Sequence, residues 1–506
     1  MPKDYLWLVI HSFTSQEKRY FKRDFLKTRG MEVLPLFVQL FDVLVKQEDY
    51  DEDEILKLLS PNLTKSNLSY TKNYLFEQLC NALVIIEQQL ESDARLNREL
   101  NLIRAFRRKG LYLHALKIWK KAISYARDLE KYPHVLLLKE EYRKLQLYHN
   151  PKVKQSELQQ EYDSGKIFMD EISNLFELQE LQFKALLMRR RAHFNLNEKD
   201  KLELEKFINA PSLQEKPKSP SFLMQHYFLN VKSILSYLKG MDECYDLAYE
   251  NIIAWHNNDK YISTFPEDYI EVLYIFYYAS ILAKRYEHIE AVFNYPGNHA
   301  LSDISHNSYF ETLKFLALNR IYNIQGDYNK VSEILKTVKQ NIEEWNKYVN
   351  IELIRTLYLS SGIASFALED FEDAYYFIKQ GLFLFNDQTR KEQFSFSYIF
   401  LLFICFEMKN PYMFEQQYKA TYTYFYKSRK PLPFEKKILQ ALVKASVTNN
   451  RTDQKIIFQE LFKSLEKSKS NSTQQLFFNF FNIPAWLESK IHRVPYKDWI
   501  RNIQTK

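Results

Sequence analysis

A turn signal recurs along much of this chain about every 42 residues, and this regularity constrains the fold more than any other feature. A stripe of large apolar residues with helical spacing precedes each signal, and a second stripe of aromatic and small residues follows it. Because one period holds two such stripes, the pattern predicts a stack of helix–turn–helix units. We place the turns at residues 110, 150–156, 198, 240, 284, 326, 369, near 410 and near 450.

The segment GLYLHALKIWKKAI, residues 110–123, shows how one unit is built. Gly110 marks the turn, and Tyr112, Ala115, Trp119 and Ala122 follow in steps of three and four, which places them on one helical face. Small alanines on that face allow a neighbouring helix to approach closely. We therefore interpret this glycine as a helix–helix turn and not as part of a phosphate-binding loop.

Glycine is scarce, with 8 residues in 506. An average protein contains about 7% glycine, and hairpin turns and dinucleotide-binding loops depend on its positive φ angles. The shortage argues against β-rich and Rossmann-like folds. The composition, 46% hydrophobic and 16% aromatic, is that of a folded chain, so we predict an all-α protein.

Residues 110–122, 315–338 and 358–381 resemble the tetratricopeptide repeat (TPR) family, with Gly-x-Tyr turns at 110 and 326 and small and aromatic residues in the second helix. The resemblance covers about residues 93–465, although the period is longer than the 34 residues of that repeat. It implies a right-handed TPR-like α-solenoid of helix-turn-helix repeats with a helical N-terminal cap.

The resemblance also implies where a partner would bind. In TPR-like arrays the first helix of each unit lines a concave groove, and its outward polar positions contact ligands. Carried over by the phase of the motif, the partner-binding positions are Asn97, Arg104, Arg107, Arg320 and Asn323.

Three regions follow from where the period holds. Residues 1–92 lack the period and form a predicted helical N-terminal subdomain. Residues 93–470 form the repeat array, with a possible break at the proline-rich segment 210–221, because no helix interior tolerates three prolines. Residues 471–506 contain the strongly apolar segment QLFFNFFNIPAWLESKI, interrupted by Pro484, which predicts a C-terminal helical cap.

A search for catalytic and metal-binding motifs favours a protein that is not an enzyme. The sequence contains no GxGxxG, GxxxxGK[ST], GxSxG or HExxH motif. We interpret the acidic run Asp51–Glu54 as the start of a helix, and His193 as a half-buried or solvated side chain. We expect no cofactor and no metal.

The basic charge is concentrated in one place. Residues 95–121 carry nine basic residues against one acid, Glu99, in a chain whose net charge is only +7. Such a surface suits acidic peptides or nucleic-acid phosphates; the simpler interpretation is a solvated helix face. Residues 51–78 could also form a helix-turn-helix, whose reading helix would carry Lys65, Asn67, Tyr70, Thr71, Lys72 and Asn73.

The remaining features predict a soluble, cytoplasmic protein. The three cysteines, Cys80, Cys244 and Cys405, are far apart and are typical of a reducing compartment. The longest apolar runs are shorter than the roughly 20 residues that a membrane helix needs, and no secretory signal is evident.

The leading hypothesis from the sequence is a non-enzymatic protein–protein interaction scaffold that binds a partner peptide or helix in its concave groove. The alternative is a nucleic-acid-binding regulator that uses the N-terminal subdomain or the basic segment 95–121, with the repeats as a sensor. A third hypothesis, an all-helical enzyme with an unrecognised site, needs a deep pocket with convergent polar groups.

Overall fold

The computed structural model is all-helical throughout the residues that it describes, with no strand among them, so the predicted all-α class is confirmed. The described residues are 4–27, 34–90, 92–149, 153–192, 198–217, 221–301, 303–384, 391–428, 430–448, 450–467, 474, 477–478 and 480–504.

Contacts divide the chain into two compact units, Met1–Ile172 and Ser173–Lys506. The division falls inside one long helix. It differs in position from the boundaries expected from the period, at residues 92 and 470, which stay predictions.

The first unit contains two hydrophobic clusters, one among its first five helices and one among the next three. Leu6, Phe41 and Leu75 are fully buried in the first cluster, and Ala115 and Ala122 in the second. The helices are α1 (Tyr5–Ser12), α2 (Ser15–Lys27), α3 (Leu36–Lys46), α4 (Glu52–Leu58), α5 (Lys65–Leu90), α6 (Ser92–Arg108), α7 (Tyr112–Asp128), α8 (Tyr132–His149) and α9 (Gln155–Ala192), of which α9 continues into the second unit.

The second unit also has two clusters, one reaching from α9 to α19 and one from α17 to the last helices. Its further helices are α10 (Glu198–Ile208), α11 (Phe222–Leu238), α12 (Glu243–His256), α13 (Lys260–Thr264), α14 (Pro266–Ala283), α15 (Ile289–Phe293), α16 (Ile304–Gln325), α17 (Tyr328–Trp345), α18 (Ile351–Ala367), α19 (Phe371–Phe383), α20 (Lys391–Glu407), α21 (Pro411–Ser428), α22 (Pro433–Val447), α23 (Arg451–Glu466), α24 (Ile483–His492) and α25 (Tyr496–Gln504), with short 3-10 helices at Pro211–Leu213 and Pro296–Ala300.

Helices end in a left-handed residue at or next to six of the predicted turns. Gly110, Gly240 and Gly326 have φ angles of 74°, 72° and 70°. At the three others the same conformation is taken by Lys284, Glu369 and Lys409, the last of these one residue before the predicted position. The chain reverses there because a left-handed residue ends the helix and lets its amide bond back to the last turn.

Helix α9 departs from the period. Between the turns predicted at 150–156 and 198, where two helices are expected, the structure has one continuous helix of 38 residues. The segment contains no proline, and Gly165 lies within the helix without a positive φ angle, so nothing interrupts it. Residues 150–152 and 193–197 lie outside the described part of the chain.

The helices that precede the turns at 240, 284, 326 and 369 are α11, α14, α16 and α18, and we call them the first helices. Each contacts the next: α11 contacts α14, α14 contacts α16, and α16 contacts α18. This order of neighbours gives the second unit one face to which several first helices contribute side chains.

Candidate functional site

A cavity of about 380 Å³ lies among the first helices of the second unit, and we call it the first-helix cavity. It is bounded by the end of α9, the end of α11 with its turn, and by α14, α16 and α18. The residues that line it are Arg189, Arg190, Tyr237, Leu238, Lys239, Gly240, Ile270, Glu271, Tyr274, Tyr278, Leu282, Tyr309, Leu313, Asn350, Glu352, Leu353 and Thr356.

Helix α14 supplies most of one wall through residues four positions apart. Ile270, Tyr274, Tyr278 and Leu282 recur at this interval and therefore lie in one row along the helix. The opposite side of α14 is fully buried, for example at Phe276. A helix that is apolar all round is normally enclosed on every side, and here one of its rows faces the cavity instead.

Arg189, at the end of α9, is held over this row. Its side chain is 15% exposed, and its guanidinium carbon lies 4.4 Å from the ring centre of Tyr274 and 5.7 Å from that of Tyr278. These distances are in the range of cation–π attraction. The two tyrosines therefore stabilise a cation at the edge of the cavity.

Glu271 is the acidic counterpart of Arg189. Its Oε1 lies 3.9 Å from Nη2 of Arg189, is buried and accepts no hydrogen bond from the described residues. Burial raises the pKa of the Glu271 carboxyl, while Arg189 and Arg190 act in the opposite direction. A ligand that donates a hydrogen bond to Oε1 would fill an unsatisfied acceptor.

Arg320, one of the two predicted partner-binding residues in this unit, lies behind the cavity wall. It is half-buried beside Tyr277 and Tyr278 and does not line the cavity. Burial raises the pKa of Tyr277 to about 12, and the guanidinium of Arg320 works against that rise. Asn323, the other predicted residue, is half-buried on α16 and also does not line the cavity.

The other three predicted residues lie in the first unit, and two of them are engaged within the fold. Nε of Arg104 lies 3.1 Å from Oε1 of Glu141, and Nε of Arg107 lies 3.0 Å from Oε2 of the same carboxylate. The Glu141 side chain is only 2% exposed. These arginines therefore neutralise a buried acid that is far from them in the sequence.

Asn97 is exposed, and its Oδ1 lies 3.2 Å from Nε2 of His134. It lines a separate shallow hollow between α5 and α6, together with the exposed apolar side chains of Val84 and Leu102. Among the predicted residues, Asn97 is the most accessible.

The basic segment keeps an exposed row on α7. Lys117, Lys120 and Lys121 point to solvent, and within the described part of the chain they have no hydrogen bond or ion pair. Arg95, by contrast, pairs with Glu99 at 3.4 Å and stacks on Tyr125. The charge that remains for an external partner is thus that of the α7 lysines and of Arg98, Arg108 and Lys109, which are also exposed and have no ion pair among the described residues.

The predicted reading helix, at the start of α5, has two of its six predicted positions in the core of the first unit. Thr71 and Lys72 are buried, and Nζ of Lys72 donates to the hydroxyl of Tyr50 at 2.9 Å. Asn67 accepts the amide of Thr64, and Asn73 accepts the hydroxyl of Tyr5. Of the six positions, Lys65 and Tyr70 are exposed and have no such contact with the residues that the structure describes.

The acidic run at 51–54 starts a helix, as the sequence predicts. Oδ1 of Asp51 accepts the amides of Asp53 and Glu54 and so caps α4. The described residues contain no group of three or more His, Cys, Asp or Glu side chains that could hold a metal ion. His193 lies outside the part of the chain that the structure describes.

Burial raises the pKa of the Cys244 thiol to about 12 and that of Cys405 to about 11. Neither buried thiol is thereby favoured as a nucleophile.

None of the helices within the described ranges is both long and apolar enough to cross a membrane.

The residues of the first-helix cavity were not predicted, although a signal for them was present. The row from Ile270 to Leu282 is a second apolar stripe, on a helix whose opposite side already supplies a buried one. Such an extra stripe indicates a further contact surface. Arg189 and Glu271 carry no comparable signal, because they lie 82 positions apart in the sequence.

Comparisons of the chain with protein-family models, with curated proteins and with solved structures found no match.

Proposed function

We propose that this protein is a non-enzymatic scaffold that binds a segment of a partner protein at the first-helix cavity. The observation that carries the proposal is that α11, α14, α16 and α18, each preceding a turn, line one cavity together with the end of α9. In a TPR-like right-handed solenoid, which we propose for the paired helices, this is the face of the ligand groove.

The chemistry of the lining suits a peptide segment. Tyrosines and aliphatic side chains provide apolar area. Tyrosine and arginine are also among the residues that contribute most of the binding energy at protein interfaces. The exposed Arg190 is placed to meet an acidic side chain, and Oε1 of Glu271 to accept a donor. A volume of about 380 Å³ holds one or a few side chains of a partner.

We test the proposal by affinity purification with mass spectrometry from the protein's own cytoplasm, the compartment that we propose for it. The wild type is compared with Tyr274→Ala and Glu271→Gln, and with the matched control Tyr426→Ala, since Tyr426 is 84% exposed on α21. We expect the same partners with the wild type and the control, and at least a tenfold loss with the two cavity variants. Circular dichroism verifies that all four chains are equally helical.

If all four chains recover the same partners in equal amounts, the partners do not bind at the first-helix cavity. If partners are found, their segments are narrowed with overlapping peptides, and binding of one peptide is measured directly. A peptide that binds the wild type and not Tyr274→Ala completes the test.

A second candidate function, nucleic-acid binding, is favoured by the row Lys117, Lys120 and Lys121, which has no acidic partner in the described ranges. Phosphate contacts by lysines release counterions, so binding must weaken steeply between about 50 and 200 mM salt. We compare the wild type with a variant in which these three lysines are glutamine. The matched control changes three exposed lysines of α22, Lys436, Lys437 and Lys444. Absence of binding at 50 mM salt contradicts this candidate.

A further inference from the structure

A second cavity, of about 590 Å³, lies near the far end of the second unit and shares no lining residue with the first-helix cavity. It is bordered by the ends of α20, α22 and α24 and by the starts of α21 and α23. Helix ends of both polarities surround it, so their dipoles offset one another. The side chains therefore determine the sign of its potential.

Among the described residues, five cations and one carboxylate line this cavity, and we call it the basic cavity. The cations are Lys409, Arg451, Lys455, Lys490 and Arg493, and the carboxylate is that of Glu407.

Glu407 is already engaged. Its Oε1 accepts the indole N–H of Trp486 at 2.7 Å, and its Oε2 accepts Nζ of Lys490 at 2.7 Å. The side chain of Glu407 is 11% exposed. Glu407 and Lys490 thus compensate each other, and the positive charge of the other four side chains remains.

None of these four cations has an ion pair or hydrogen bond with another side chain in the part of the chain that the structure describes. Lys455 is half-buried, whereas Lys409, Arg451 and Arg493 are exposed. A concave site lined by uncompensated charge of one sign concentrates oppositely charged ligands.

Two of the three helices that end at the cavity, α20 and α24, end in a left-handed residue that is not glycine. Lys409 and Arg493 take left-handed φ angles of 51° and 58°, a conformation that glycine takes at three other turns and that Lys284 and Glu369 take at two more. A side chain other than glycine is disfavoured in this conformation. At both positions a long cationic side chain lines the cavity, although the backbone conformation favours glycine.

We propose that the basic cavity binds the polyphosphate group of a small molecule. Four cations match the charge of a triphosphate, and arginine and lysine are the side chains that bind phosphate oxygens. The volume lies within the roughly 300–1,000 Å³ of small-molecule sites. Phe406, Phe414 and Phe458 form an apolar part of the lining that can contact the rest of the ligand.

The first experiment is calorimetric titration of the full chain with inorganic tripolyphosphate at 50 mM salt. We expect saturable binding that weakens at least tenfold at 200 mM salt. ATP and AMP are titrated in parallel. Tighter binding of ATP than of tripolyphosphate assigns a role to the apolar lining, and equal binding assigns recognition to the phosphates alone; both support the proposal. No binding of either polyphosphate, or equal binding of a poly-glutamate peptide, overturns it.

The decisive variant is the double change Lys409→Gly and Arg493→Gly. Glycine suits both left-handed positions, so the melting temperature is expected to stay the same or rise while two of the four charges are lost. We expect at least a tenfold weaker tripolyphosphate affinity. The double variant Lys455→Gln and Arg451→Gln tests the other pair, and Lys436→Gln with Lys437→Gln on α22 is the matched control. Unchanged affinity in both cavity variants overturns the proposal.

Discussion

At the scale of single residues, Arg104 and Arg107 both bind the carboxylate of Glu141. Three cationic side chains surround this buried carboxylate, since Nζ of Lys144 also lies 3.5 Å from its Oε1. A buried charge requires such compensation. The two arginines hold α6 against α8, and we expect their substitution to affect stability before it affects any partner.

Glu141→Gln is therefore expected to loosen the first unit. Because the arginines are partly exposed and water screens them, we expect a loss of about 1–3 kcal/mol in the free energy of local opening. Hydrogen exchange measured by mass spectrometry should become roughly 5- to 150-fold faster in peptides of α6 and α8. The control is Glu140→Gln, because Glu140 pairs only with Lys144 among the described residues and its side chain is 47% exposed. Equal exchange in the two variants would contradict this assignment.

His256 makes the second unit sensitive to acid. Burial lowers the pKa of His256 to about 4, beside Tyr269 and stacked on the ring of Tyr295. In the unfolded chain its pKa is about 6.5. Between these pH values only the unfolded state binds the proton, so stability is fully present above about pH 6.5 and decreases as the pH falls to about 4.

We expect this residue to account for about 1–2 kcal/mol of the stability lost between pH 7 and pH 4, after allowing for solvent screening at its exposed edge. The measurement is the urea midpoint at several pH values for the wild type and His256→Asn. The variant should show a flatter dependence over this range. An identical slope in both chains would show that other groups cause the acid sensitivity.

At the scale of helices and turns, backbone conformation explains why the turns were predictable and α9 was not. The turn positions carry local signals, such as glycine followed by an aromatic residue, and a local signal acts wherever it occurs in the sequence. Gly165 is also a glycine, but its neighbours favour a helix and no proline follows. The period suggested a break at both ends of α9 and a turn between them, whereas the local sequence favours uninterrupted helix.

Substituting two glycines of the first unit measures the effect of backbone conformation on stability. Gly110 has a φ angle of 74° and Gly165 is helical, and neither would bring an added Cβ within 4 Å of another atom. Gly110→Ala should therefore destabilise the protein by about 1 kcal/mol, because alanine is strained in the left-handed region. Gly165→Ala should stabilise it by up to about 1 kcal/mol, because glycine is a poor helix former. Thermal melting of both variants measures the difference, and shifts of the same sign would argue against it.

The candidate site was predictable only in part, because contacts between distant helices determine it. The phase of the motif selected α16 through Arg320 and Asn323, and Arg320 does lie next to the cavity wall. It did not select Arg189, whose place over Tyr274 depends on how α9 packs against α14. Nor did the phase of the motif show that Glu141, 37 residues after Arg104, would form ion pairs with the two arginines of α6.

At the scale of the whole molecule, the described buried residues form four hydrophobic clusters, two in each unit, and the two clusters of the second unit meet at Leu368. No residue pattern marks the division near 172, since it lies inside a continuous helix. A chain with several clusters is not expected to unfold as a single cooperative transition.

Urea unfolding followed by far-ultraviolet circular dichroism and by tryptophan fluorescence should therefore give curves that do not coincide. Of the six tryptophans, Trp7 and Trp119 report on the first unit and the other four on the second, where Trp255 and Trp486 are fully buried. Trp119→Phe and Trp486→Phe assign the fluorescence changes to their units. Superimposable curves from both methods in all three chains would show instead that the clusters unfold together.

The hydrogen bond from Trp486 to Glu407 has a consequence for synthesis of the chain. Trp486 packs against Phe403 and Phe458 and fills the cluster around α20, a helix whose core is buried on nearly every side. Trp486 follows Glu407 of α20 by 79 residues. Because the ribosome adds about 5–20 residues per second, Trp486 is synthesised roughly 4–16 s after Glu407. During that interval the phenylalanines of α20 lack the cover that Trp486 provides, and we expect chaperones to protect them at this stage of translation.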